Sequence, residues 1–338
     1  MPSQNGSIYT WRQDMRTFFC SWLIAGALMP GLAAAADAAA NFPSRQIRFV
    51  VDFPPGGTVD TLARIIAQKL DEKWKQPVIV ENRPGAGGNI GAAFVYEAPA
   101  DGYTLLVSPP GPLSINEYLY KDMPFDPARF SPIALLAVIP NAITARADLP
   151  ANSVKELIAY AKAHPGKVSY ASQGNGSTSH LSGQLLASMS GSSLVHVPYR
   201  GEGPALNDLL GGRVDLFVGN ISAVLKFQET GKIKILAVAS NQRSAMAPSI
   251  PTSSEAGLPG FLASAWFAVA APPGTPAPIV EKLNAAVLEV LKMPDVQQKF
   301  LAQGAEVAAS SIADTTSFFQ AERVRWKKVI VDAGVTLD

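Results

Sequence analysis

Residues 47–60 read IRFVVDFPPGGTVD, and this stretch decides the fold. A short run of β-branched and aromatic residues stops at a proline and glycine turn. From Asp60 the apolar spacing changes to that of a helix, with Leu62, Ile65, Ile66, Leu70 and Trp74 on one face. A strand therefore feeds a helix through Pro-Pro-Gly-Gly. Working outward, PVIVEN (residues 77–82) is a second strand. A glycine cluster then opens a helix near Asn89, which Pro99 and the Asp101–Gly102 turn close, and YTLLVS (residues 103–108) is a third strand. The order βαβαβ predicts a parallel sheet with helices on its faces.

The pattern recurs further along. Ser153 and Glu156 form a capping box that opens a helix running to about His164. VSYAS (168–172), VHVPY (195–199), VDLFVG (214–219) and IKILAVAS (233–240) read as strands, with helices at 181–189 and 204–210. Two long apolar stretches, residues 132–148 and 263–275, read as extended passages between two α/β lobes. The expected division is residues 43–142 plus 266–338 for lobe I and 143–265 for lobe II, hinged around a central cleft.

The chain has 338 residues, and its 28 Lys and Arg against 27 Asp and Glu leave a net charge of +1. A grip on a nucleic-acid backbone needs a cation surplus that this balance does not supply. With 48% apolar residues and 16% charged, against a usual ~25% charged, the chain has ample material for a core. One cysteine excludes a disulfide framework and any multi-cysteine metal site. Arg12 and Arg16, the apolar run at 18–36 and the tract AAAADAAA predict a secretory signal over residues 1–40. Pro30 and Gly31 interrupt that run, which argues against a membrane span.

Chemistry is expected where glycine-rich turns follow strands, because open α/β sheets bind ligands outside the carboxyl ends of their strands. In FPPGGTVD, Gly56 and Gly57 let a ligand approach the backbone and the following helix offers free N–H groups to an anion, while Asp60 reads as a helix cap. NRPGAGGNIG (82–91) misses the dinucleotide fingerprint, because Ile90 stands where the third glycine is required. A backbone nest or a close helix–sheet contact is the expected use; Arg83 could face an anion there, but a solvated or structural role is favoured. SQGNGSTSH (172–180) crowds hydroxyls around Gly174 and Gly176 at a helix start, and VPYRGEGPA (197–205) ends another strand.

Catalytic machinery is not evident. YASQG (170–174) has tyrosine in place of the first glycine of a nucleophile elbow. His164, His180 and His196 are not spaced for a shared metal, and no P-loop lysine follows a glycine run. The expectation is no catalytic residue, no metal and no cofactor. The cationic residues at 323–328 read as the solvated face of an amphipathic helix.

FPPGGTVD, ENRPGAGGNIG, ADGYTLL, YASQGNGSTSHL and VPYRGEGPALNDLLGGRVD occur in that order. Together with the export signal, they resemble the Bug-type extracytoplasmic solute receptors of tripartite tricarboxylate transporters, from about Phe42 to the C-terminus. The resemblance implies a two-lobed, type II-like periplasmic-binding-protein fold that closes on a small carboxylate or related metabolite. Such a receptor holds its ligand largely through backbone amides and water, and delivers it to a membrane permease. Carried onto this chain, it implies ligand contacts from Phe53, Gly56, Gly57, Thr58 and Ser108 in lobe I. From lobe II it implies Gly176, Ser177, Thr178, Tyr199, Gly201 and Asn220. Asp60 matches the family's aspartate as a support of the loop, and residues 109–116 bear on ligand choice. A periplasmic monomer without nucleic-acid partners is expected. The rival readings are an exported hydrolase or isomerase using Ser172, and a periplasmic sensor serving a signalling partner.

Overall fold

The computed structural model describes residues 40–199 and 201–337; the expected export signal lies outside the described residues, save residue 40. Strand β1 (Ile47–Val51) runs parallel to β2 (Val78–Asn82) and to β3 (Thr104–Ser108), with α1 (Thr58–Trp74) and α2 (Asn89–Tyr96) as the crossovers. This is the predicted βαβαβ unit. In the second half, β5 (Val168–Ser172) runs parallel to β6 (Leu194–Pro198) and to β7 (Leu216–Asn220). Helix α3 (Val154–Ala163) precedes β5, α4 (Thr178–Ser190) and α5 (Glu202–Leu210) lie between the three strands in sequence, and α6 (Ile221–Gln228) follows β7.

Both predicted passages are strands, and they are antiparallel. β4 (Ser131–Arg146) pairs with β9 (Ser264–Ala271) over residues 131–140, and β9 pairs onward with β3. From Asn141 the strand changes neighbours and pairs with β7 on one side and β8 (Ile233–Val238) on the other. The switch falls at Pro140, which lacks the N–H a ladder needs and so suits the point where one set of partners ends. Asn141 spans the change, its N–H donating to Ala263 O beside β9 at 2.9 Å and its carbonyl accepting Ala239 N–H just beyond β8 at 2.7 Å. The result is an α/β architecture in two lobes. Each has a parallel ladder flanked by helices, and antiparallel β4 and β9 join them in the order β2-β1-β3-β9-β4-β7-β5-β6. β4 is flanked on both edges for most of its length, β10 (Glu306–Val307) covering residues 137–138, which is why its sequence is almost continuously apolar.

Among the described residues, two of the apolar clusters lie under these ladders. One gathers Val50, Leu106, Phe125, Phe130, Trp266 and Phe319. The other gathers Ile143, Tyr170, Leu181, Leu216, Trp326 and Ile330. After α7 (Ala277–Leu291) and α8 (Pro294–Ala302), helix α9 (Ile312–Ala333) contributes to both cores, giving Phe319 to the first and Trp326, Val329 and Ile330 to the second. Between them Glu322, 1% exposed, accepts the indole N–H of Trp266 at 3.0 Å and of Trp326 at 2.9 Å. Buried carboxylates need such partners, since an unpaired one would cost several kcal/mol.

The predicted capping box is half formed. Ser153 Oγ accepts the Glu156 N–H at 3.2 Å, but Glu156 turns to the N–H of Asn152, one residue earlier than the reciprocal pattern requires.

Candidate functional site

The first turn leaves β1 through Asp52, a buried carboxyl that accepts the Ser108 hydroxyl at 2.5 Å. Burial pushes its pKa well above the usual carboxylate range, against the effect of that hydrogen bond. Gly56 sits at φ +85° and Gly57 is the N-cap of α1, in extended conformation and with no side-chain cap. The first N–H groups of α1 therefore have no side-chain acceptor at the cap. Asp60, predicted to cap the helix, instead anchors the turn one residue further back. It accepts Gly56 N–H at 2.9 Å, Arg64 at 2.9–3.0 Å and Asn82 Nδ2 at 2.9 Å, and Asn82 also holds Phe53 O. Burial would raise the Asp60 pKa, but these hydrogen bonds and the Arg64 charge bring it below the usual value.

The turn after β5 is closed from within. Ser177 caps α4, accepting the His180 N–H at 3.3 Å and donating to Gly174 O at 2.6 Å. Ser179 Oγ takes Gln173 N–H at 2.9 Å, and His180 Nδ1 takes Gly176 N–H at 3.1 Å. His180 stacks on His196 with centroids 3.9 Å apart, and His196 Nε2 meets Ser172 Oγ at 2.7 Å. Burial lowers both imidazole pKa values to about 4. Gly176 has φ +74°, and a Cβ there would lie 2.7 Å from Leu337 Cδ1, so only glycine fits where the C-terminal residues cross the turn.

These two turns face one cavity of about 560 Å³. Phe53, Gly57 and Thr58 line it from the first turn; Gly176, Ser177 and Thr178 line it from the second, with Gly201 and Asn220 from the ends of β6 and β7. Four residues singled out in the sequence lie outside this wall. Gly56 and Asp60 sit behind the first turn, Ser108 is turned to Asp52, and Tyr199 sends its hydroxyl to Asp208 at 2.7 Å. Burial first, then Asp208, pushes the Tyr199 pKa up to about 12.

Sequence reasoning passed over several wall residues. Ala265 and Phe267 of β9 form part of it, alternating with Trp266, which points the other way into the first core. Gly87 joins from the second glycine loop, where Asn116 Nδ2 holds its carbonyl at 3.0 Å, and Tyr120, Glu202 and Leu337 complete much of the rest. The two-residue alternation in SAWFAVAA was the available signal for β9; nothing local marked Leu337. Of the two uses expected for the second glycine loop, the close helix–sheet contact is present: a Cβ on Gly91 would lie 2.9 Å from Asp52 Cα. Arg83 pairs with Glu81 and lies 3.7 Å over the Phe94 ring.

Ser172 and His196 are spaced as a nucleophile and base would be. Ser172 is nevertheless fully buried and its hydroxyl is shared with the main chain of Gly174, while His196 leans on His180 and Tyr170 rather than a carboxylate. Among the described residues no group of three or more His, Cys, Asp or Glu is placed to hold a metal, and no helix is long and apolar enough to cross a membrane.

A two-lobed α/β chain with glycine turns from both lobes on one cavity has the architecture of the periplasmic solute-binding receptors. Residues 62–335 match the family described as tripartite tricarboxylate transporter family receptor, and the chain belongs to that family. BugT of Bordetella pertussis is 39% identical over 306 residues, covering 90% of this chain and 94% of that protein. Among solved structures, an R. palustris protein with adipate is 41% identical, with a TM-score of 0.76 over 88% of this chain and all of its own. MatC from Rhodopseudomonas palustris with bound malate is 36% identical, with a TM-score of 0.72 over 86% of this chain and all of its own.

Proposed function

We propose that this protein is a periplasmic receptor that captures a small carboxylate in the cavity between its lobes and passes it to the permease of a tripartite tricarboxylate-type transporter. The observation that carries this reading is the convergence of the uncapped start of α1 and the second glycine turn on one cavity. Free N–H groups and the positive end of the helix favour an anion there. Hydrogen bonds to a charged group contribute about 1.5–3 kcal/mol each, so a few of them reach the ~8 kcal/mol of micromolar binding after ordering costs. The adipate and malate of the two relatives support a carboxylate as the ligand class.

In this reading Phe53, Gly57, Thr58, Gly176, Thr178, Gly201 and Asn220 face the ligand, with Ser177 holding the second turn in shape; Gly56, Asp60, Ser108 and Tyr199 support from behind. Lobe I comprises residues 43–142 and 266–338, lobe II residues 143–265, and the crossing segments around Asn141 and Ala263 act as the hinge. Residues 1–40 direct export, and the receptor works as a monomer without catalysis.

Gly57→Val tests the reading. A Cβ at Gly57 has only Pro54 O nearby, at 3.8 Å, and the backbone is extended, so the fold tolerates the change. Thermal stabilisation of the wild type by adipate or malate, lost in the variant, is the expected result. Equal stabilisation of both would remove the first turn from the site. The Ser172–His196 contact favours one rival, an exported hydrolase. A fluorophosphonate probe is expected to leave Ser172 unlabelled, and labelling would reinstate that rival.

A further inference from the structure

The cavity wall is uneven in charge. Among its described residues Glu202 is the only one with a carboxyl side chain. It is the first residue of α5, it accepts Gln173 Nε2 at 2.7 Å, and burial pushes its pKa up against that hydrogen bond. Asn220, in the same wall, has a buried Oδ1 with no hydrogen-bond partner among the described residues. Both come from the β5–β6–β7 side, whereas the uncapped α1 comes from the β1 side, at the other end of the sheet order. Much of the remaining surface is hydrocarbon: Pro54, Pro109, Ile115, Phe267 and Leu337.

We infer that Glu202 is a specificity residue that selects a ligand carrying a hydrogen-bond donor, an ammonium above all, at the end remote from its carboxylate. This rests on the carboxylate-capture reading above and narrows its ligand class. A ligand with one carboxylate on the α1 amides brings its far end to a wall whose polar side chains include Asn116, Gln173, Asn175 and Asn220 but whose one charged side chain among the described residues is Glu202. A second carboxylate would find no lysine or arginine among the described wall residues and, beside Glu202, a like charge, which is unfavourable. An ammonium pairs with Glu202 and offsets the desolvation of the glutamate, with the idle Asn220 oxygen a further acceptor in the same wall. An acid at the first position of a helix also favours the helix dipole, so the test must separate that role from selection.

Isothermal titration of the purified protein with 6-aminohexanoate, hexanoate and adipate does so, because the three share a chain and differ only at one end. The wild type is expected to bind 6-aminohexanoate about tenfold or more tighter than adipate. Glu202→Gln is expected to reverse that order, weakening the amine and strengthening adipate by about tenfold, with hexanoate little changed. Wild-type protein that binds adipate as well as the amino acid overturns the inference, and it does so without any variant having to fold. Loss of affinity for all three ligands alike in Glu202→Gln also overturns it, assigning Glu202 to the helix alone. Binding of none of these carboxylates by either form would remove the capture reading itself, and this inference with it.

Discussion

The turns at residues 53–58 and 173–178 follow the same route from strand to helix, and they are held in opposite ways. The first carries prolines and glycines, caps its helix with Gly57 and keeps its anchoring residues, Asp60 and Asn82, behind it. The second knits Ser172, Ser177, Ser179, His180 and His196 into its own hydrogen-bond network, and its helix is capped by Ser177. A cap filled from within leaves less for a ligand, whereas one left open leaves amides waiting for an anion. On the proposed reading, two similar glycine loops divide the work: one grips, and the other is a preformed wall.

Acidification should break the second turn first, with the largest effect. His180 and His196 are held near pKa 4 when folded, against 6.5 for a free imidazole. Between these values the unfolded chain binds more protons than the folded one, so stability falls as pH drops from about 6.5 towards 4. Buried His180 should account for about 3 kcal/mol of the loss, at roughly 1.4 kcal/mol for each pH unit crossed. The half-buried His196 adds less, because solvent screens it. Urea midpoints across that range would measure the fall, and a flat profile would mean that the stacked pair is not buried as described.

Gly176→Ala sharpens the contrast. Its positive φ and the contacts a Cβ would make with Leu337 and Leu119, at 2.7 and 2.9 Å, predict a destabilisation of about 1–3 kcal/mol in urea unfolding. Ser177→Ala should cost about 1 kcal/mol through loss of the cap, with ligand affinity changed far less than stability. Gly57→Ala should do the reverse, altering stability by less than about 1 kcal/mol while impairing adipate- or malate-induced stabilisation. If Ser177→Ala and Gly57→Ala gave the same pattern, the division of labour would be wrong.

The βαβαβ start was legible because each of its elements carries its own signal: β-branched runs, helical spacing and glycine turns, all within residues 47–108. The second lobe was legible for the same reason, its strands falling within a residue or two of their predicted ends. What escaped depends on partners distant in sequence. Pro140 marks a break in the run, but which partners β4 takes on either side of it resides in β7, β8 and β9. Ser108 reads as a free hydroxyl until Asp52, 56 residues earlier, is found beneath it. Tyr199 reads as a cleft residue until α5 brings Asp208 to its hydroxyl. Glu202 stands within VPYRGEGPA, but its place in the wall emerged only when β5 and β6 set Gln173 beside it.

Glu322 ties Trp266, whose neighbours Ala265 and Phe267 face the cavity, to Trp326 in the other core. Two indoles on one carboxylate make a native optical gauge. Trp326 also packs among Ile143, Tyr170 and Leu216, so rocking of one half against the other should change the surroundings of that ring and shift its fluorescence emission. Capture could then be followed in real time, with no dye attached.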